Sequence, residues 1–224
     1  MHHIQRKILN KLLYAMTLPY AAMRPEGIES NHYAYHLEQL LTAGLIVKQD
    51  KQYCLTAAGL QAVDRMSQEQ MTPRLQPHIV TAVDITNSQG QTLLFKRAFQ
   101  PYIHRLGFPL GKTHYAETVA QAATRELLEK TGLGDVPLTQ RGIVYVESRQ
   151  DGVTISKILC HVFQGAVDGT PDVGPNDVHR GECLWLDAVT LTDKDVMPGF
   201  LAIKQLLAEH DSKNLFFAEL AEDL

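Results

Sequence analysis

At 224 residues, with 45% hydrophobic and 21% charged side chains, the chain has the composition of a folded protein with room for one large domain or two modest ones. A formal net charge of -4 excludes a chain-wide basic surface, so any contact with nucleic acid or an anionic membrane must be local. Cys54, Cys160 and Cys183 are odd in number and lack CxxC spacing, which argues against a disulfide framework or zinc site and fits a reducing cytoplasm.

Apolar residues at Ile4, Ile8, Leu9, Leu12, Leu13 and Met16 recur with a helical period and predict a one-faced helix from Ile4 to Met16. Arg6 and Lys7 lie inside that pattern, which excludes the apolar centre of a signal peptide, and no run reaches the roughly 18 apolar residues of a membrane span. Ser30 is placed to cap a second helix whose buried stripe reads Tyr33, Leu37, Leu40 and Leu41 and which Gly44 stops. In LIVKQDKQYCLT the period changes to that of two short strands around a tight turn, and helical spacing returns at Leu60 and Val63.

Helix, helical turn, helix, hairpin and helix, carried by HYAYHLEQLLTAGLIVKQDKQYCLTAAG, resembles a winged helix-turn-helix domain over residues 1–67. That resemblance makes Asn31, His32, Tyr35 and His36 the candidate base-reading residues, with Lys48 and Lys51 on the wing. The charge pattern pulls the other way. The second helix carries no Lys or Arg, Glu29 and Glu38 flank its candidate reading residues, and such a footprint is thin for DNA. DNA binding therefore stands beside homodimerisation or scaffolding as a role for this domain. Residues 68–77, polar and with two prolines, are expected to be a linker.

From residue 78 onward HIVTAVDIT, NSQG and QTLLFKRA predict a hairpin turning near Gly90. A helix is expected from Glu117 to Lys130. GIVYVES and VTISKILCHVF predict a second hairpin turning at Asp151 and Gly152, CLWLD a late strand, and PGFLAIKQLLAEH a closing helix begun by Pro198. Strands and helices mix without strict alternation, which favours an α+β arrangement over a doubly wound sheet. The apolar tail residues Leu215, Phe216, Phe217 and Leu220 are expected to pack on their own chain or on a second copy.

The stretch GKTHYAETVAQAATRELLEKTGL, Gly111 to Leu133, resembles the Nudix box, with GFPLGK before it and the Trp185 strand after it extending the likeness. The resemblance implies an α/β/α sandwich with a mixed sheet over residues 78–224, Mg²⁺ (or Mn²⁺) as cofactor, and a nucleoside diphosphate derivative as substrate. It makes Glu126 the principal metal ligand or base, Glu129 a second ligand and the main-chain carbonyl of Leu110 a third. It gives Gly111, Glu117, Arg125 and Gly132 structural roles, Glu117 with Arg125 as a salt bridge, and makes Arg97 a cationic position facing phosphate, with a solvated surface charge as its other reading. The spacing agrees, because Glu126 and Glu129 lie three apart on one helix face and a hard cation takes oxygen ligands.

Lys130 stands where the box has another glutamate. An ammonium about 5 Å from a divalent ion would repel it by roughly 6 to 7 kcal/mol at an effective dielectric near 20. The four-carbon stem is expected to swing that charge into solvent, leaving a weakened metal site, or else to bring it to a substrate phosphate. Glu147, Asp151, Asp177 and Glu182 are the carboxylates available as replacements. Two functions fit these residues: a Mg²⁺-dependent pyrophosphohydrolase attenuated by Lys130, and a transcriptional regulator that senses a nucleotide metabolite and binds DNA through its first domain.

Overall fold

In the computed structural model, residues 1–67, 72–174 and 181–223 are described. The chain divides into two compact units, Met1–Leu75 and Gln76–Leu224. Among the described residues no helix is long and apolar enough to cross a membrane.

The first unit contains α1 (His3–Leu13), β1 (Leu18–Pro19), α2 (Tyr20–Met23), α3 (Ser30–Thr42), β2 (Ile46–Gln49), β3 (Gln52–Leu55) and α4 (Ala57–Asp64). Helix α1 stops three residues short of the periodicity limit, and Met16 is exposed, because the chain leaves the helix after Leu13 to form β1. Ser30 is the first helical residue rather than the cap; Glu29 takes the cap position without a side-chain bond. The hairpin turns on Asp50 and Lys51, both at positive φ, as a tight turn between twisted strands requires. Strand β1 pairs with β3 to give the sheet order β1-β3-β2. Ile8, Leu9, Met23, Tyr33, Leu40 and Ile46 are fully buried and form the centre of the core, where the Tyr33 hydroxyl donates to the Tyr20 carbonyl at 2.6 Å. Within the expected linker, residues 68–71 lie outside the described residues. Thr72 to Arg74 bond back onto the first unit, through Ser67 N to Thr72 O (2.8 Å) and Arg74 N to Arg65 O (3.0 Å).

The second unit contains β4 (His78–Thr86), β5 (Thr92–Arg97), β6 (Leu106–Gly107), β7 (Leu110–Lys112), α5 (Val119–Thr131), β8 (Thr139–Gln150), β9 (Val153–Ala166), β10 (Gly181–Leu186), α6 (Phe200–Glu209) and β11 (Phe216–Asp223). Its sheet runs β10-β5-β4-β9-β8-β11, with β6 on β5 and β7 on β4. The β4–β9 and β8–β11 pairs are parallel and the others antiparallel, so the sheet is mixed and the unit is α+β. Alternation along β4 sends Val80 and Ala82 to one face, with Phe200, Ile203 and Leu207 of α6, and Val83 and Ile85 to the other, with Ala123 and Leu127 of α5. The result is an α/β/α sandwich. Each fully buried Val, Leu, Ile or Phe contributes about 1.5 to 3 kcal/mol to holding those layers together.

The tail resolves onto its own chain. Strand β11 pairs parallel to β8 along its whole length, burying Phe216 in the α6 face of the core and leaving Phe217 exposed. Gly142 makes this possible, since a Cβ there would lie 2.3 Å from the Phe216 ring. Helix α6 starts at Phe200, two residues after Pro198, on a left-handed Gly199.

A polar network invisible to periodicity ties α6 to the sheet. Asp84, fully buried on β4, accepts from Lys204 of α6 (3.0 Å) and from Gln164 of β9 (3.1 Å). Lys204 also donates to Thr92 (3.1 Å). Gln164 accepts from Arg141, whose guanidinium reaches the carbonyls of Leu207 (3.3 Å) and His210 (2.8 Å) at the end of α6. Lys204→Met leaves the Asp84 carboxylate buried without its cation and is expected to cost about 3 to 5 kcal/mol in urea unfolding. The double variant D84L/K204M, which removes both charges, should recover most of that loss.

Candidate functional site

The site is built where α5 crosses β7. Helix α5 begins at Val119, two residues later than its charge pattern predicts, because Thr118 forms a capping box with Gln121: Gln121 N donates to the Thr118 hydroxyl (3.2 Å) and Thr118 N to the Gln121 side chain (2.8 Å). It ends at Gly132, whose φ of 76° and bond to the Leu128 carbonyl (2.8 Å) close the helix in the left-handed conformation that favours glycine. Ala122, Ala123 and Leu127 face the sheet, and the same stripe carries Glu126 inward until only 8% of the residue is exposed.

A carboxylate reaches that depth because Gly111 lies opposite it. A Cβ on Gly111 would sit 1.7 Å from the Glu126 carboxyl carbon, so any side chain there would expel the acid. Leu110, the preceding residue of β7, pairs with Ala82 of β4 beside this contact. Glu129 lies one turn along α5 with its side chain half exposed.

Arg125 binds the group together. It grips Glu117 through Nε (2.9 Å) and Nη2 (2.7 Å), reaches Glu126 through Nη1 (2.9 Å) and Glu129 through the same nitrogen (3.2 Å), and donates to the Lys112 carbonyl (3.1 Å). Glu117 also accepts from His114 N (2.6 Å), which fixes the loop between β7 and α5. The guanidinium and then this amide hold the Glu117 carboxyl down at about 2, against an ordinary value of 4.5.

Lys130 departs from the expected solvent-facing pose. Its ammonium stands 3.6 Å from Glu126 Oε2 and 4.9 Å from the centre of the Phe95 ring, with 16% of the side chain exposed. The cause is the sheet beside it: Phe95 of β5 faces the ammonium, and the Lys130 carbonyl accepts from Cys183 Sγ (3.0 Å) on β10. Both oxygens of Glu126 thus face cations, Arg125 on one and Lys130 on the other. Phe95 and Cys183 were missed in the sequence because each reads only as one inward residue of an alternating strand.

The remaining candidates are dispersed. Arg97 shares the Phe95 face of β5, one pleat further along; its guanidinium stacks 3.8 Å from the Phe99 ring centre and donates to the Phe99 carbonyl (3.1 Å). Glu147 is committed to Arg149 (2.9 Å), Thr154 (2.6 Å) and Lys157 (3.2 Å), and Glu182 pairs with Lys96 (3.0 Å). Asp151 is in the β8–β9 turn, and Asp177 lies outside the described residues. Among the described residues no three His, Cys, Asp or Glu side chains converge as a ready cation cage. In the first unit Asn31, His32 and Tyr35 are exposed on α3, while His36 stacks on His2 (4.2 Å between centroids) with its Nδ1 buried and unpartnered. Lys48 and Lys51 are exposed on the hairpin, Lys48 lying 5.7 Å from the centre of the Tyr53 ring.

A divalent ion fits this arrangement in donor type but meets a conflict in charge. Glu126, Glu129 and the Leu110 carbonyl offer hard oxygens, as Mg²⁺ prefers. The Lys130 ammonium, however, already faces Glu126 Oε2, while Arg125 holds Oε1.

The NUDIX domain model matches residues 76–202. The isopentenyl-diphosphate Delta-isomerase of Serratia proteamaculans (strain 568) is 30% identical over 142 residues, covering 62% of this chain and 74% of that protein. The NUDIX domain of Shewanella oneidensis NrtR, solved with ADP ribose, superposes with a TM-score of 0.52 at 15% identity, covering 61% of this chain and 89% of that one. A MutT NUDIX hydrolase from Burkholderia pseudomallei gives 0.50 at 22% identity, covering 61% and 100%. At these identities the two structures establish shared fold.

The Glu117–Arg125 brace generates a pH test. A carboxyl whose folded value is depressed contributes stability fully above its unfolded value, near 4.5, and loses it as pH falls toward about 2. The stability gap between wild type and Glu117→Gln should therefore be constant from pH 7 to 5 and close progressively between about pH 4.5 and 2, followed by thermal melts. A gap that persists unchanged at the acid end would show that the brace is not ionic.

Proposed function

The chain belongs to the NUDIX domain family, and from that premise we propose that it is a divalent-metal-assisted pyrophosphohydrolase acting on a nucleoside diphosphate linked to a second group. The observation that carries this reading is the placement of Glu126: a carboxylate sunk against β7 by Gly111 and aimed by Arg125, with Glu129 one turn away. Glu126, Glu129 and the Leu110 carbonyl would hold Mg²⁺ or Mn²⁺, which when bound offsets diphosphate charge and lowers the pKa of water. The protein's own residues do the positioning. Arg125 fixes the rotamer of Glu126 through Oε1, so that Oε2, which the Lys130 ammonium faces, is the oxygen outside that bond. Gly111 removes the side chain that would block it. Arg97 and Lys130, on neighbouring elements, supply positive charge for phosphate oxygens.

A second reading is favoured by the Lys130–Glu126 pair and by the element order of the first unit, which we read as a winged helix-turn-helix domain over residues 1–67 with α3 as its reading helix. On this reading the chain is a transcriptional regulator: the NUDIX unit senses a nucleotide metabolite, and Asn31, His32, Tyr35, Lys48 and Lys51 face DNA. A second copy of the chain is the alternative partner for that domain.

A panel of nucleoside diphosphate derivatives, headed by ADP ribose and including isopentenyl diphosphate as a non-nucleotide member, separates the readings. With Mg²⁺ or Mn²⁺ the wild type should turn over at least one nucleotide, and Glu126→Gln should lower kcat about a hundredfold or more, the scale of a lost acid–base or ligand carboxylate. A blank across the panel, identical in wild type and E126Q, sinks the hydrolase. A low-salt gel shift on the organism's own upstream DNA that one of these nucleotides weakens or strengthens would establish the regulator.

A further inference from the structure

We propose that Lys130 is a tethered competitor for the divalent cation at Glu126: its ammonium occupies the counter-ion position on Oε2, so that a metal binds only by displacing it. Three observations converge on this. The ammonium is 3.6 Å from Oε2, and the side chain is mostly buried rather than extended into water. The same ammonium lies over the Phe95 ring, 4.9 Å from ring centre to Nζ, an attractive contact between a cation and an aromatic face that holds it from the sheet side. Its own backbone is fixed by the Cys183 bond on β10.

The surroundings leave the ammonium one anionic partner. Cys183 of β10, whose Sγ donates to the Lys130 carbonyl, has its thiol pushed up to about 11 by burial and is neutral near pH 7. Glu182 projects to the opposite face of β10 and is paired with Lys96. Glu129 is engaged by Arg125. Among the described residues Glu126 is therefore the carboxylate that neutralises Lys130, and the pairing is mutual.

The cluster's charge gives the consequence. Glu117, Glu126 and Glu129 carry three negative charges and Arg125 and Lys130 two positive ones, leaving a net charge of minus one where a carboxylate at position 130 would leave minus three. A free cation meets little field and a resident competitor. The inference rests on the reading that Glu126 is the metal-facing carboxylate, but its test reads metal occupancy, so a protein with no hydrolytic turnover still answers it.

The test is a Mn²⁺ titration of the full chain without nucleotide, free ion being counted by electron paramagnetic resonance. Lys130→Met removes the charge, adds no ligand and keeps an apolar stem that packs on Phe95. Its Mn²⁺ Kd should fall at least tenfold below wild type, equivalent to about 1.4 kcal/mol. Lys130→Arg, which keeps the charge, should stay near wild type. Lys130→Gln is the second neutral variant should K130M fail to fold, and is expected to show the same gain. The double variant E126Q/K130M should lose the gain. Equal Kd values for wild type and the folded neutral variant overturn the proposal, as does a gain that survives in the E126Q background.

Discussion

One guanidinium organises the chemistry of the second unit. Arg125 uses its planar fork to hold Glu117 with two bonds while the remaining nitrogen meets Glu126 and Glu129, and a further bond reaches the β7 backbone at Lys112. Lysine could not substitute, since a point charge on a flexible stem cannot satisfy that many acceptors in fixed directions. Three carboxylates on adjacent turns and a neighbouring loop would otherwise repel one another and splay. The loop between β7 and α5, the rotamer of Glu126 and the approach of the helix to the strand all follow from this single side chain.

The scaffold beneath it meets a related problem by different means. Asp84 is buried in the sheet, where an isolated charge would be prohibitive, and is made tolerable by Lys204, Gln164 and Thr92 acting together. Because Lys204 comes from α6 and Gln164 relays to Arg141, which in turn closes the end of α6, the network specifies where that helix sits along the sheet. The apolar contacts of Phe200, Ile203 and Leu207 supply the greater part of the attraction but are forgiving of small shifts. The polar network is directional. Together they hold the α6 face in place while α5, on the other face, carries the site.

Periodicity made the long elements legible: α1, α3, α5, α6 and the β8–β9 hairpin follow from side-chain spacing alone. Elements of two or three residues did not, and β1, β6 and β7 have too few positions to show a period; they exist because a neighbouring strand offers bonds. The tail was readable as apolar, but its pairing with β8 depends on a missing Cβ at Gly142, a contact between residues 74 positions apart in sequence. In the site, motif spacing singled out Glu126, Glu129, Arg125 and Glu117 and could say that Glu126 and Glu129 share one side of a helix. It could not say that Lys130 points inward. That outcome depends on Phe95 and Cys183, which come from two strands far from the box in sequence, and a lone helix would have let the stem reach water.

Counting matched positions treats a family signature as a list of side chains, whereas a cation responds to the field they produce together. Replacing one carboxylate by an ammonium changes one residue of the signature and two units of charge. Here the change is larger still in effect, because the ammonium is packed beside Glu126, the most buried carboxylate of the cluster, where screening is weakest. An ammonium at an exposed position of α5, such as that of Leu128, would perturb the field at Glu126 far less, because solvent screens it. The effect of the ammonium at residue 130 thus follows less from its identity than from the depth at which β5 and β10 hold it.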